Sequence, residues 1–270
     1  MSSNSQDQPQ QMEPFEPGQF FPGGHNNDPP LPSTSATTGY KLNHMMLRVR
    51  DPARSLHFYI DLLGMRTVFT MNAGPFTLYY LGYPQTADDR ADLPTWASKT
   101  ASYETLTQTP GLLELYHVHG SEKDVVDGGI EISNGNTPPA LGFGHLGFTV
   151  PDVRDAVERL RGEGVTVVKE IGRAEREHVP LSDWEESRGV GLGDMHEGYK
   201  AIFERFAFVA DPVSFSLYLF LFFFSFLFFF LKSDCVCWVY ADNGIIGWIP
   251  HRIDSPERGL DIRFGMYVWA

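Results

Sequence analysis

The chain has 270 residues, enough for one or two domains with a substantial core, and its 34 acidic and 21 basic residues leave a formal net charge of −13. That balance argues against nucleic acid and against an anionic membrane surface as partners. The only two cysteines, Cys235 and Cys237, exclude a disulfide framework, and the ordinary reading of so short a Cys-Val-Cys pair is not a metal site.

Residues 1–39 are rich in Gln, Pro, Ser, Asn and Gly and hold few aliphatic side chains. Such a segment cannot bury enough apolar surface to offset its ordering entropy, so disorder is expected. It carries no arginine and no secretory pattern, which makes the cytoplasm the expected location.

From Tyr40 the texture changes. "NHMMLRVR", residues 43–50, alternates and reads as a strand, with His44, Met46, Arg48 and Arg50 on one face and Met45, Leu47 and Val49 on the other. Asp51-Pro52 then caps and starts a helix. Leu56, Tyr59, Leu62 and Leu63 form its apolar stripe, and Gly64 ends it. Three strands follow in "MRTVFTM", "FTLYYLGY" and "GLLELYHV".

A second stretch repeats this opening. His44, Val49, Asp51 and Gly64 correspond in type and spacing to His145, Val150, Asp152 and Gly164, with an amphipathic helix in each copy. The expected fold class is therefore α+β, built of two βαβββ modules over residues 40–120 and 141–212. Paired modules enclose a cleft, where ligand sites lie.

Three residues converge on chemistry. His44 and His145 occupy equivalent first-strand positions, and Glu114 sits in the apolar run "GLLELYHV", where an unpaired carboxylate is costly. Imidazole and carboxylate from rigid strands suit Zn, Ni, Co, Mn or Fe(II). A lone strand histidine is usually structural, but equivalent placement in two modules has no packing reason. His117 and His119 fall on the strand face opposite Glu114 and read as surface or structural residues. Arg48 shares the His44 face: a solvated charge in the bland reading, a clamp for a substrate carboxylate in the functional one.

"NHMMLRVRDPARSLHFYIDLLGMRTVF", "LLELYHVHGSE" and "GFGHLGFTVPDV" together resemble glyoxalase I, the lactoylglutathione lyases of the vicinal oxygen chelate superfamily, over residues 40–212. The resemblance implies one divalent metal, zinc first and nickel second, held by His44, Glu114, His145 and a fourth ligand, Glu. It also implies glutathione as cosubstrate, with Arg48 contacting it, and isomerisation of the methylglyoxal–glutathione hemithioacetal to lactoylglutathione. A ligand glutamate moves the carbon-bound proton in that reaction, so Glu114 is the expected base, and a homodimer is compatible with it. Val118 and Leu141 depart from the family, standing where its glutathione-using members carry Asn and Arg. Two alternatives remain: an Fe(II) dioxygenase using His44, His145 and Glu114 as a two-His-one-carboxylate set, or a non-catalytic metal- or ligand-binding relative with a membrane anchor.

The family's closing strand, which carries that fourth Glu, is lost. Counting forward from "FAFVADP" places the Glu at Tyr218, and the internal offset places it near 215; both lie in "VSFSLYLFLFFFSFLFFFL", residues 213–231, which has no acidic residue. The last strand of the second module is thus expected to be disrupted, leaving a chain inactive unless Glu114 suffices. The uncharged stretch is about the ~20 residues that span a bilayer. A helix or strand packed in a core is a worse reading, since it has no regular polar positions. Pyrimidine-rich Phe, Leu and Ser codons favour a third: a translated intron, followed over 232–270 by a tail without periodicity.

Overall fold

The computed structural model describes residues 16–18, 20, 28–123, 127–179, 181–212, 218–222, 240–241 and 244–245. Cys235, Cys237, most of the Phe-rich stretch and most of residues 1–27 lie outside them.

The first module opens with β1 (His44–Arg48), then α1 (Pro52–Leu56), which runs on as a π-helical turn over His57–Leu62. Asp51 caps the helix, its carboxylate accepting from the Arg54 amide, and Pro52 takes the first turn, as the sequence predicts. Gly64 ends it at φ 78°, and its counterpart Gly164 adopts φ 80°, so the repeat extends to the left-handed residue that closes each helix. The π turn was not expected. It leaves the neighbours Phe58 and Tyr59 both buried, where the predicted stripe included only Tyr59.

Strands β2 (Arg66–Asn72), β3 (Phe76–Gly82) and β4 (Leu112–Val118) complete a sheet of order β1-β4-β3-β2, with β1 parallel to β4. Three short helices intervene between β3 and β4: α2 (Ala87–Ala91), α3 (Leu93–Thr100) and α4 (Tyr103–Leu106). They carry a small core of their own, in which Trp96 packs with Val68 and Leu112.

A two-stranded ribbon, β5 (Asn136–Thr137) and β6 (Ala140–Leu141), leads into the second module. There β7 (His145–Thr149), α5 (Val153–Gly162), β8 (Val167–Lys169), α6 (Asp183–Glu186), α7 (Glu197–Phe203), β9 (Phe206–Ala210) and β10 (Tyr218–Phe222) follow in order. The sheet order is β7-β10-β9-β8, with β7 parallel to β10, the same topology as the first.

The fourth strand of the second sheet is therefore present. It lies beyond Pro212, where the sequence pattern stops, and comes from the Phe-rich stretch itself, which corrects the expectation that no strand forms there. Pairing needs only backbone donors and acceptors, and aromatic residues favour extended backbone, so a strand survives the loss of alternation. What is disrupted is its chemistry.

One core serves both modules. Val49, Phe58, Tyr59, Leu62, Met65, Leu81, Leu113 and Leu115 from the first pack in one cluster with Val153, Val157, Leu160, Ala207 and Val209 from the second. Polar groups also cross this boundary. The Tyr59 hydroxyl donates to the Asp211 carboxylate at 2.5 Å, and the Arg159 guanidinium donates to the Leu62 carbonyl at 2.7 Å. Burial, then the neighbouring Asp211 charge, holds the Tyr59 phenol well above its ordinary pKa. Residues 225–270 form a separate unit, in which β11 (Tyr240–Ala241) and β12 (Gly244–Ile245) pair antiparallel.

Candidate metal centre

The face of the first sheet opposite the shared core brings together three side chains from three adjacent strands. In register, Glu114 on β4 lies opposite Met46 on β1 and opposite Tyr80 on β3. His44, two residues before Met46, shares that face because strand side chains alternate. Its Nε2 lies 3.4 Å from Glu114 Oε2. The Tyr80 hydroxyl donates to the same carboxylate oxygen at 2.7 Å and stands 3.2 Å from His44 Nε2. Glu114 is only 7 % exposed, yet this hydroxyl partners it.

A relay behind His44 orients its ring. The Asn43 amide nitrogen donates to the carbonyls of Leu106 and Thr109 at 2.8 and 2.6 Å, which turns its oxygen toward His44 Nδ1, 2.8 Å away. With Nδ1 donating to that oxygen, Nε2 is the nitrogen left facing Glu114. The inserted helix α4 and the turn after it thus orient a candidate ligand. Sequence reasoning missed both Asn43 and Tyr80. Alternation on β3 could have put Tyr80 on an inward face, but its register with Glu114 is invisible across an insertion.

His145 does not join this cluster. It stands on β7, with its ring 6.1 Å from Phe208 in an edge-on arrangement. Burial pushes its imidazole below the ordinary pKa, favouring the neutral form that can offer a lone pair. Among the described residues no three His, Cys, Asp or Glu side chains come together as a metal-holding group. The expected convergence of His44, Glu114 and His145 is therefore not seen within one chain. The same holds for the two-His-one-carboxylate set that the dioxygenase alternative requires.

Register also relocates the lost glutamate. In the second sheet Phe220 pairs with Gly147 on one side and Phe208 on the other, as Glu114 pairs with Met46 and Tyr80. The equivalent of Glu114 is thus Phe220, not Tyr218 or a residue near 215. Counting along the chain failed because the modules differ in the segments inserted between strands.

Arg48 lies further along the His44 face, exposed, with its guanidinium 5.8 Å from the Tyr116 ring. Together with Met46, Asn134, Leu141, Phe143 and Asp211 it lines a cleft of about 520 Å³. Leu141, which stands where glutathione-using members of the family carry Arg, is on this wall. His117 and His119 are engaged elsewhere, with Glu122 at 3.3 Å and Thr77 at 2.9 Å, as their assignment to the opposite face anticipated.

The model of the Glyoxalase/Bleomycin resistance protein/Dioxygenase superfamily matches residues 41–180, more than half of the chain. The chain belongs to that superfamily. It is 37% identical over 169 residues to a lactoylglutathione lyase of Pseudomonas aeruginosa, an alignment covering 60% of this chain and 90% of the relative. A lactoylglutathione lyase of Pseudomonas putida is 36% identical, with 53% and 79% covered. Glyoxalase I of Saccharomyces cerevisiae is 33% identical over 52% of this chain and 40% of its own length. Among the described residues no helix is long and apolar enough to cross a membrane.

Proposed function

We propose that this superfamily member is a metal-dependent glyoxalase I-like lyase, converting the hemithioacetal of methylglyoxal and glutathione to lactoylglutathione in the cytoplasm. The observation that carries the reading is the His44–Glu114 pair, an imidazole nitrogen and a buried carboxylate oxygen 3.4 Å apart on one sheet face. Similarity to lactoylglutathione lyases supports it.

The donor set fits a divalent cation. Nitrogen and carboxylate oxygen are ordinary zinc and nickel donors, and 3.4 Å is about the separation expected of two atoms bound to one tetrahedral ion. His44 and Glu114 would hold it, zinc first and nickel second. When bound, the cation supplies Lewis-acid polarisation of substrate oxygens.

The remaining chemistry belongs to the side chains. Glu114 accepts the carbon-bound proton of the hemithioacetal and returns it to the adjacent carbon, a transfer for which a sheltered carboxylate is suited. Arg48 pairs with a glutathione carboxylate at the cleft. Asn43 holds the His44 ring so that Nε2 is the nitrogen facing Glu114. With phenylalanine at position 220, the second module contributes no carboxylate, so turnover is expected to be low rather than nil.

The decisive assay combines metal content with product formation. Purified full-length protein should hold a divalent cation and form lactoylglutathione, and Glu114→Gln should lower kcat by about 100-fold or more. Stoichiometric metal with no product at any glutathione concentration would overturn the assignment.

A further inference from the structure

Arg48 lies four residues beyond His44 on β1, about 13 Å along an extended strand. An extended tripeptide spans about 10 Å, so a thiol held near the His44–Glu114 pair reaches the Arg48 guanidinium with its far end. Arg48 opens onto the cleft of about 520 Å³, whose remaining lining comes mostly from residues 130–143.

The charges along this cleft are few and unequal. Arg48 is its one cation among the described residues; its guanidinium rests 5.8 Å from the Tyr116 ring and pairs with no carboxylate among them. Arg50 does not line the cleft and donates to the carbonyls of Ser121 and Lys123. Two carboxylates share the lining with Arg48. Asp211 is buried and accepts the Tyr59 hydroxyl, whereas Glu131 is exposed and has no ion-pair partner among the described residues. Leu141 and Phe143 extend the wall with apolar surface, which gives a carboxylate no partner.

Glutathione brings two carboxylates and one ammonium. Its γ-glutamyl end, an ammonium beside a carboxylate, matches Glu131 and Arg48. Its glycine carboxylate finds no cation and meets apolar surface and like charge. We infer that the cleft selects thiols with a zwitterionic amino-acid end and an uncharged opposite end, for which free glutathione is the poorer cosubstrate. As a statement about cosubstrate choice this rests on the lyase reading; the binding preference needs only the cleft.

Calorimetry on the full-length protein compares S-methylglutathione with its glycine ethyl ester, thioethers that cannot react. The ester should bind about 10-fold more tightly, and the methylglyoxal hemithioacetals of glutathione ethyl ester and glutathione should differ alike in kcat/KM. Leu141→Arg should close the gap by tightening S-methylglutathione alone. Glu131→Gln should weaken both thioethers by about 3- to 5-fold. Equal or tighter binding of the free acid by the parent protein, a comparison that needs no variant, would overturn the inference. An ester preference without turnover of either hemithioacetal upholds the cleft's selection while removing the lyase reading. Binding of neither thioether would remove the cleft as a thiol site and the inference with it.

Discussion

The two modules share a topology and differ in what that topology presents. In each, a parallel first and last strand flank the same order of four, and a histidine stands at the same position of the first strand. Across one register row the first module reads Met46, Glu114, Tyr80, and the second reads Gly147, Phe220, Phe208. A carboxylate and a hydroxyl face two phenylalanines in the same backbone frame. Backbone hydrogen bonds tolerate almost any side chain, whereas proton transfer and metal binding depend on a few atoms. A module can thus keep its fold after its chemistry has gone.

The sharpest way to break this comparison is to restore the missing group. Phe220→Glu should raise lactoylglutathione formation by about 100-fold, the scale of a positioned general base. An unchanged rate in a variant that still binds metal would show that Phe220 is not the counterpart of Glu114.

A smaller but clear effect concerns the shared core. Leu160 is fully buried among residues of both modules, so Leu160→Ala should cost about 2–5 kcal/mol. Denaturation followed by near- and far-ultraviolet circular dichroism should remain a single transition. Two separated transitions would mean that the modules fold independently.

Removing the hydroxyl that joins them should cost less. Tyr59→Phe takes one hydrogen bond from the buried Asp211, and about 1–2 kcal/mol of stability is expected to go with it in urea denaturation.

A pH-dependent effect is specific to the second sheet. Lys169 is 1 % exposed, donates to the Phe206 carbonyl at 2.6 Å, and is pushed down to about 8, chiefly by burial. Between that value and the ordinary lysine range near ~10.5 the unfolded chain binds more protons than the folded one, so stability rises with pH. The stability of the parent relative to Lys169→Met should therefore grow from pH 7 to pH 10. A flat difference would mean that Lys169 stays charged in the fold. The first module has no buried lysine among its described residues and no such slope.

Local chemistry made much of the molecule legible in advance. Alternation in "NHMMLRVR", the Asp51-Pro52 start and the glycines that close each first helix report steric and hydrogen-bonding preferences that act within a few residues. Two copies of one pattern imply the repeated topology, and so His44, Glu114 and Arg48 were found on one face. Only tertiary structure decided the rest. Whether the Phe-rich stretch pairs as a strand depends on an open sheet edge between β7 and β9, which no local pattern records. That Phe220 and not Tyr218 matches Glu114 depends on register across inserted segments. Asn43 and Tyr80 joined the site through strands and a helix distant in sequence, because hydrogen bonds at 2.6–2.8 Å are set by how elements meet and not by how the chain is spelled.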